Sequence, residues 1–464
     1  MVFSSLTFLF GFLPVTLTGY YLLPKKAKMT FLLLISLVFY AWGEPLYVFL
    51  MIGSILVNWL IGLGMDKSVR HKKALLVLSV GLNLALLFVF KYTGLFWNTA
   101  KGLFPAPISE KTVSIRLPIG ISFFTFQIMS YVIDLYRGKA KVQRNPIKFG
   151  AYVTMFPQLI AGPIVRYVDI EAQLDRPDLS IDSIADGVRQ FLVGLGKKVL
   201  LANTMGVLWA QLSAAPQNNG VLGAWAGIFA YSFQIYFDFS GYSDMACGLG
   251  RMLGFRFGKN FDYPYIADSV TDFWRRWHIS LSTWFREYVY IPLGGNRKGL
   301  PRQILNLLIV WALTGLWHGA SWNFVVWGMY YGVLLTMEKL FLAKLLQKLP
   351  KTVRCLLTFV IASVGWGIFY FTDFSALGVY FGSLVGIGNP GLINAESGAW
   401  CLGFLPTLTL AAVAATPLGA RIAKKLERFR WFRPVQLIAC IVLFALCIAS
   451  LASQSYNPFI YFRF

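Results

Sequence analysis

Apolar stretches recur along this chain near 2–24, 29–43, 45–65, 74–90, 118–136, 189–212, 222–250, 303–317, 321–341, 354–372, 400–418 and 434–453. A helix needs about 20 apolar residues to cross a bilayer, so most of these are candidate spans and three are short enough to be partial ones. The composition agrees: 57% of the residues are hydrophobic and 13% charged, against roughly 25% charged in soluble domains. No Gly/Ser linker, low-complexity tract or repeat divides the sequence. The expectation is an all-α integral membrane protein with a single membrane domain over residues 1–464.

The net charge of +22 would suggest nucleic acid in a soluble protein. Here the cations cluster in short loops between apolar runs, which is the pattern that orients membrane proteins, with Lys and Arg on the cytoplasmic side. Lys25 to Lys28, Lys67 to Lys73, Arg137 to Lys148, Arg251 to Arg302, Lys339 to Arg354 and Arg421 to Arg433 are therefore expected to face the cytoplasm. The connections at Glu44, Ser213 to Val221 and Asp373 to Ala399 hold no Lys or Arg and belong outside. The loop Lys91 to Arg116 fits least well, since it carries four cations yet alternates to the outer side. Both termini come out extracytoplasmic. The run Val2 to Pro24 lacks a basic start and a cleavage site, so it reads as a retained helix. Residues 149–165 are flanked by two loops of the same side, and Pro157 with Gly162-Pro163 breaks helix. A re-entrant segment satisfies both observations. The five cysteines are scattered and form no C-x-x-C pair, which predicts neither a disulfide framework nor a metal site.

Of three histidines, His71 sits in a basic loop and reads as solvated. His318 lies in Leu313-Thr-Gly-Leu-Trp-His-Gly-Ala-Ser-Trp-Asn-Phe324, where two apolar runs meet. An imidazole at membrane depth is either satisfied as helix glue or faces a cavity as a functional group. Its chemistry suits a general base that takes a hydroxyl proton during acyl transfer. His278 belongs to Thr271-Asp-Phe-Trp-Arg-Arg-Trp-His-Ile-Ser-Leu-Ser-Thr-Trp-Phe-Arg-Glu287. At helical spacing, Trp274, Trp277, Leu281, Trp284 and Tyr288 form one stripe and Arg275, His278, Ser282 and Arg286 another. This predicts an interfacial helix with tryptophan anchors and a polar line turned toward a cavity; the plainer reading is an anchor alone. Asp238 and Asp244 fall inside an apolar run and need partners, so they are a structural ion pair or part of the chemistry. Asn323 follows His318 closely in the same motif.

Six strings in order carry a resemblance: Leu117-Pro-Ile-Gly-Ile-Ser-Phe-Phe124, Phe156-Pro-Gln-Leu-Ile-Ala-Gly-Pro163, Tyr236 to Asp244, Asp272-Phe-Trp-Arg-Arg-Trp-His-Ile-Ser-Leu-Ser282, Leu293-Gly-Gly-Asn296 and Trp317-His-Gly319. Together with Met1-Val-Phe-Ser-Ser5 and the tail Phe459 to Phe464, they resemble the bacterial alginate O-acetyltransferase branch of the membrane-bound O-acyltransferase superfamily, over nearly the whole chain. The resemblance implies a ring of about 11–12 membrane helices, with re-entrant and interfacial helices, around a central tunnel. It implies that His318 is the catalytic histidine and His278 the second functional histidine, with Asp238, Asp244, Arg275, Ser282 and Asn323 as supporting residues. Since the charge pattern puts the His318 hairpin near the outer face, its helices are expected to be short or tilted.

The implied reaction is transfer of an acyl group, by resemblance acetyl, from a cytoplasmic thioester to a hydroxyl of an extracytoplasmic polysaccharide such as an alginate-like exopolysaccharide or peptidoglycan. The implied donor is acetyl-CoA; no nucleotide-binding glycine loop or bound cofactor is read from the sequence itself. The alternative donor is an acyl-carrier protein, as in the related teichoic acid D-alanylation branch. The implied partners are membrane lipid and an extracytoplasmic SGNH-type acetyltransferase, in a bacterial inner membrane. The tail Phe459-Ile-Tyr-Phe-Arg-Phe464 resembles that of the accessory protein of teichoic acid D-alanylation, which makes Tyr461 either an acyl relay or an aromatic belt residue. A polytopic transporter would share the apolar helices and intramembrane ionisable groups, but the chain shows no inverted repeat.

Overall fold

The computed structural model describes residues 1–68, 70–101, 115–160, 162–388, 391–453 and 460. In chain order the helices that matter are α1 Phe8–Leu22, α2 Lys25–Gly43, α3 Tyr47–Lys67, α4 Lys72–Ala100, α5 Ile121–Tyr136, α6 Pro146–Thr154, α7 Phe156–Leu159, α8 Tyr167–Asp175, α9 Ile181–Ala214 and α10 Gly220–Met252. They continue with α11 Val270–Arg276, α12 Ile279–Phe285, α13 Leu300–His318, α14 Trp322–Leu346, α15 Lys351–Tyr370, α16 Phe374–Leu384, α17 Ala395–Ala414, α18 Leu418–Leu426 and α19 Phe432–Ser453. Among the described residues ten helices are long and apolar enough to cross a membrane, and α1, α5 and α16 are shorter apolar ones. Each of the twelve runs read from the sequence contains one such helix. The chain is an all-α, multi-pass membrane protein.

The helices gather into two compact units, one made of residues 1–191 and 243–258, the other of 192–242 and 259–464. In the first unit the phenyl rings of Phe3, Phe8, Phe12, Phe39 and Phe156 pack together. Helices α3 and α4 are joined by a buried polar cluster, in which Ser79 Oγ and Asn83 Nδ2 both donate to Asn58 Oδ1 at 2.5 and 2.9 Å. The segment expected to be re-entrant contains the end of α6 and all of α7, broken at Met155, and residues 149–160 are buried. Ser36 accepts the freed Phe156 N–H at 3.2 Å, so protein replaces the water that lipid cannot supply.

The second unit holds a core of aromatic rings around Trp274, Trp277, Trp311, Trp327 and Trp366. Helices α13 and α14 cross closely because glycines meet there: a Cβ on Gly315 would lie 2.2 Å from the Phe324 carbonyl oxygen, and one on Gly328 2.3 Å from that of Trp311. Small residues at such crossings let backbones touch where no hydrophobic gain separates helix from lipid. α13 has 19 residues, about 28 Å at the helical rise, so of the short or tilted helices expected in this hairpin, α13 is not short: it is long enough to cross a bilayer. The connection 373–399, expected as a plain loop, contains the eleven-residue α16.

The crossing yields a test. Gly328→Ala should destabilise the protein by about 1–3 kcal/mol or prevent its folding, whereas Gly53→Ala, whose Cβ would meet nothing within 4 Å, should be neutral. Fluorescence-detected size exclusion with thermal challenge compares them.

Candidate functional site

The tryptophan-rich segment is not one helix. α11 ends at Arg276, α12 begins at Ile279, and His278 between them has φ 45 and ψ 54, left-handed values that non-glycine residues adopt under constraint. The constraint is visible. Asn260 Oδ1 accepts the Ser280 N–H at 3.1 Å and the Ser280 hydroxyl at 2.9 Å, and Asn260 O accepts the Ile279 N–H at 2.9 Å. The same Oδ1 lies 3.2 Å from His278 Nδ1. Because that oxygen only accepts, Nδ1 carries the proton and Nε2 is left as the basic nitrogen. Nε2 has no hydrogen-bond partner, and the residue is 1% exposed. Burial pushes the imidazole well below its ordinary range, to about 3, so it is neutral at physiological pH.

The break redirects the side chains without scattering them. Arg275, His278, Ser282 and Arg286 all line one cavity of about 730 Å³, as the polar line predicted. The tryptophan stripe behaves differently. Trp274, Trp277, Trp284 and Tyr288 are buried against protein, so they build the core and do not anchor an interfacial helix. The start of α11 is pinned from far along the chain: the carboxylate of Glu338 accepts the N–H of Val270 at 2.9 Å and of Thr271 at 2.8 Å.

Around the cavity stand Arg275, Arg286, Lys339 and Arg354. Arg354 pairs with Asp268 at 2.8 Å, while Arg275, Arg286 and Lys339 have no ion-pair partner among the described residues. Two of the basic loops assigned to the same membrane side, 251–302 and 339–354, thus meet at one opening. From there the cavity runs along one face of α13, lined by Gln303, Leu307, Val310, Trp311 and Thr314, a length of roughly 16 Å.

It stops one turn before His318. That histidine is the last residue of α13, 7% exposed, and belongs to a second, tight cavity of about 20 Å³ with Asp238, Phe239, Trp277, Trp366, Phe369 and Ile460. The rings of Trp317, Trp327 and Phe369 stand edge-on to it at 5.0, 5.0 and 5.3 Å. Trp317 is also 5.9 Å from His278, so one indole touches both imidazoles while each faces its own cavity.

The remaining expected residues separate. Asp238 is buried beside His318, with Lys198 Nζ 2.7 Å from its Oδ1 and the Ile460 N–H 2.8 Å from its Oδ2, so its partner cation is a lysine. Asp244 lies in the first unit, half-buried, where Gln190 Nε2 donates to it at 3.3 Å. Asn323 lines neither cavity and donates to the Phe369 carbonyl at 3.0 Å, as helix glue. Tyr461 lies outside the described residues. Sequence reasoning missed Lys198, Asn260 and Glu338. Lys198 and Glu338 are charges inside or at the end of apolar runs, a signal of the kind that singled out Asp238; Asn260, in a polar loop, gave none.

The sequence model of the membrane-bound O-acyltransferase family matches residues 85–372, more than half of the chain. The chain belongs to this family. It is similar to the probable alginate O-acetylase AlgI of Pseudomonas putida, 39% identical with all of both chains covered. It is also similar to the peptidoglycan O-acetyltransferase of Helicobacter pylori, 34% identical over 80% of this chain and 77% of that one. A more distant similarity, 28% identical over 48% of this chain and 59% of the other, joins it to the teichoic acid D-alanyltransferase of Bacillus subtilis. The protein is therefore a membrane-bound O-acyltransferase.

The buried imidazole has a measurable consequence. Above about pH 6.5 His278 is neutral whether the chain is folded or unfolded; as the pH falls toward 3 the unfolded chain takes up the proton first, and stability is lost. Between pH 6.5 and 5 the loss should approach about 2 kcal/mol. The melting temperature of wild type should drop over that interval more steeply than that of His278→Gln.

Proposed function

We propose that this O-acyltransferase takes an acetyl group from acetyl-CoA on the cytoplasmic side and delivers it, through an extracytoplasmic SGNH-type partner, to hydroxyls of a polysaccharide. The observation that carries the donor side is the large cavity: Arg275, Arg286 and Lys339 line it with no ion-pair partner among the described residues, and so does His278, whose buried Nε2 has no hydrogen-bond partner among them. Unpaired guanidinium and ammonium groups suit phosphate oxygens, and a cavity running about 16 Å along α13 suits an extended pantetheine arm. His278 and Ser282 then hold the thioester end. The names of the relatives, alginate O-acetylase and peptidoglycan O-acetyltransferase, support acetyl as the group and an extracytoplasmic polymer as its destination.

His318 is the general base of the transfer. A hydroxyl gives its proton to the imidazole while its oxygen attacks the thioester carbonyl; the C–O bond forms, the C–S bond breaks, and the proton passes to the departing thiolate. Tyr461 supplies that hydroxyl as a relay and hands the acetyl group to the partner. This reading is supported by its sequence neighbour Ile460, which is 7% exposed and lines the cavity of His318. Asp238 supports the same cavity and Asn323 holds the backbone beside it, while Asp244 has a structural role in the first unit.

His318→Ala in stably inserted protein should lower turnover by about 10²–10⁴, and polymer acetylation of wild-type level would overturn the assignment. Arg275→Gln and Arg286→Gln should each raise the KM for acetyl-CoA about tenfold with kcat little changed, as for loss of one charged contact. Wild-type KM values, or use of an acyl-carrier protein in place of free acetyl-CoA, would move the donor assignment. Tyr461→Phe should abolish polymer acetylation measured by NMR of the isolated polysaccharide, and normal acetylation would leave this tyrosine as an interface residue.

A further inference from the structure

Ile460 is held in the cavity of His318 by its backbone N–H. α19 ends at Ser453, and Ile460, farther along the chain, is buried in the cavity of His318 with its N–H donating to Asp238 Oδ2 at 2.8 Å. The other oxygen of the carboxylate is 2.7 Å from Lys198 Nζ, and both side chains are 3% exposed. Lys198 in turn donates to Asn203 Oδ1 at 2.9 Å. It sits on a π-helical turn, Lys197–Ala202, within α9, and such turns commonly mark functional positions.

A carboxylate in an apolar interior must be neutralised, and Lys198 does that with one oxygen. The second oxygen is aimed at the main chain of a residue 222 positions away. Such a bond is charge-assisted, and it holds the backbone of Ile460 beside His318 independently of the side chain at that position. We propose that Asp238, held by Lys198, is a positioning residue that seats the C-terminal segment at His318. The use made of the seat rests on the acyl-transfer reading above, in which Tyr461, the next residue after Ile460, is the relay. In this role Asp238 acts through the backbone of Ile460.

The experiment compares two neutral pairs in the full-length protein in lipid nanodiscs. Asp238→Asn with Lys198→Met removes both charges and keeps an oxygen acceptor at 238; Asp238→Leu with Lys198→Met removes both charges and the acceptor. Neither leaves a lone buried charge, so folding is preserved in both, and matching melting curves confirm it. Hydrogen–deuterium exchange of the C-terminal peptide containing Ile460 reads the seat, and acetyl transfer from acetyl-CoA is measured in parallel. The Asn/Met protein should keep the protection and transfer within a few-fold of wild type. The Leu/Met protein should exchange at least tenfold faster in that peptide and lose at least tenfold in transfer. Equal protection in the two would overturn the seat, and lost protection with undiminished transfer would overturn its positioning role. Should the Leu/Met pair fail to fold, Asp238→Ala with Lys198→Met, which also removes both charges and the acceptor, takes its place in the same exchange measurement. Tyr461→Phe leaves the main-chain bond intact and should leave exchange unchanged. If that variant transfers normally while the Leu/Met pair loses both protection and transfer, the relay fails and the seat stands.

Discussion

Interrupted backbone inside a membrane domain must find its hydrogen bonds in the protein, and the site of this enzyme depends on two polar side chains that meet that demand. Glu338 takes the free N–H groups where α11 begins, and Asn260 takes those where α12 begins. Between them the chain can stop being helical for two residues, and only there does His278 adopt its left-handed conformation. A continuous helix would have sent His278 along a straight polar stripe. The break turns it inward, strips its Nε2 of partners and leaves its Nδ1 fixed by Asn260.

The same economy of polar groups explains why two histidines so close are not interchangeable. His278 looks into the wide, cation-rimmed cavity and His318 into the narrow one that also receives Ile460. Trp317 stands against both rings, and a wall of indoles is a physically sensible partition here. Large rigid rings bury much apolar surface between the two cavities.

Much of the fold was legible because lipid imposes a coarse rule, about twenty apolar residues per crossing, and every run so identified contains a helix. Residues of 251–302 and 339–354 line one cavity. The candidate site was legible in residue identity more than in shape. Arg275, His278, Ser282 and Arg286 were grouped correctly by a periodicity that the structure then breaks, because the broken helices still point the four side chains into the same space. The break was invisible, since the residue that enforces it, Asn260, lies eighteen positions away in a polar loop. Asn323 shows the opposite failure: proximity to His318 in sequence put it among supporting residues, but its amide turns away to the carbonyls of Ile368 and Phe369. Asp244 likewise shares a helix with Asp238 yet falls in the other compact unit.

Three π-helical turns in the second unit carry site residues: Lys197–Ala202 with Lys198, Arg286–Tyr290 with Arg286, and Glu338–Leu342 with Glu338 and Lys339. A π turn is an α-helix with one residue in surplus, and each residue of a helix turns the next by about 100°. Excising a single residue from any of these turns would restore a regular helix and swing everything beyond it to another face. The surplus residues thus act as set-screws in otherwise plain spans. Lineages that gained or lost one could re-aim an entire helix surface at a new acyl donor or partner without altering a single side chain that touches it.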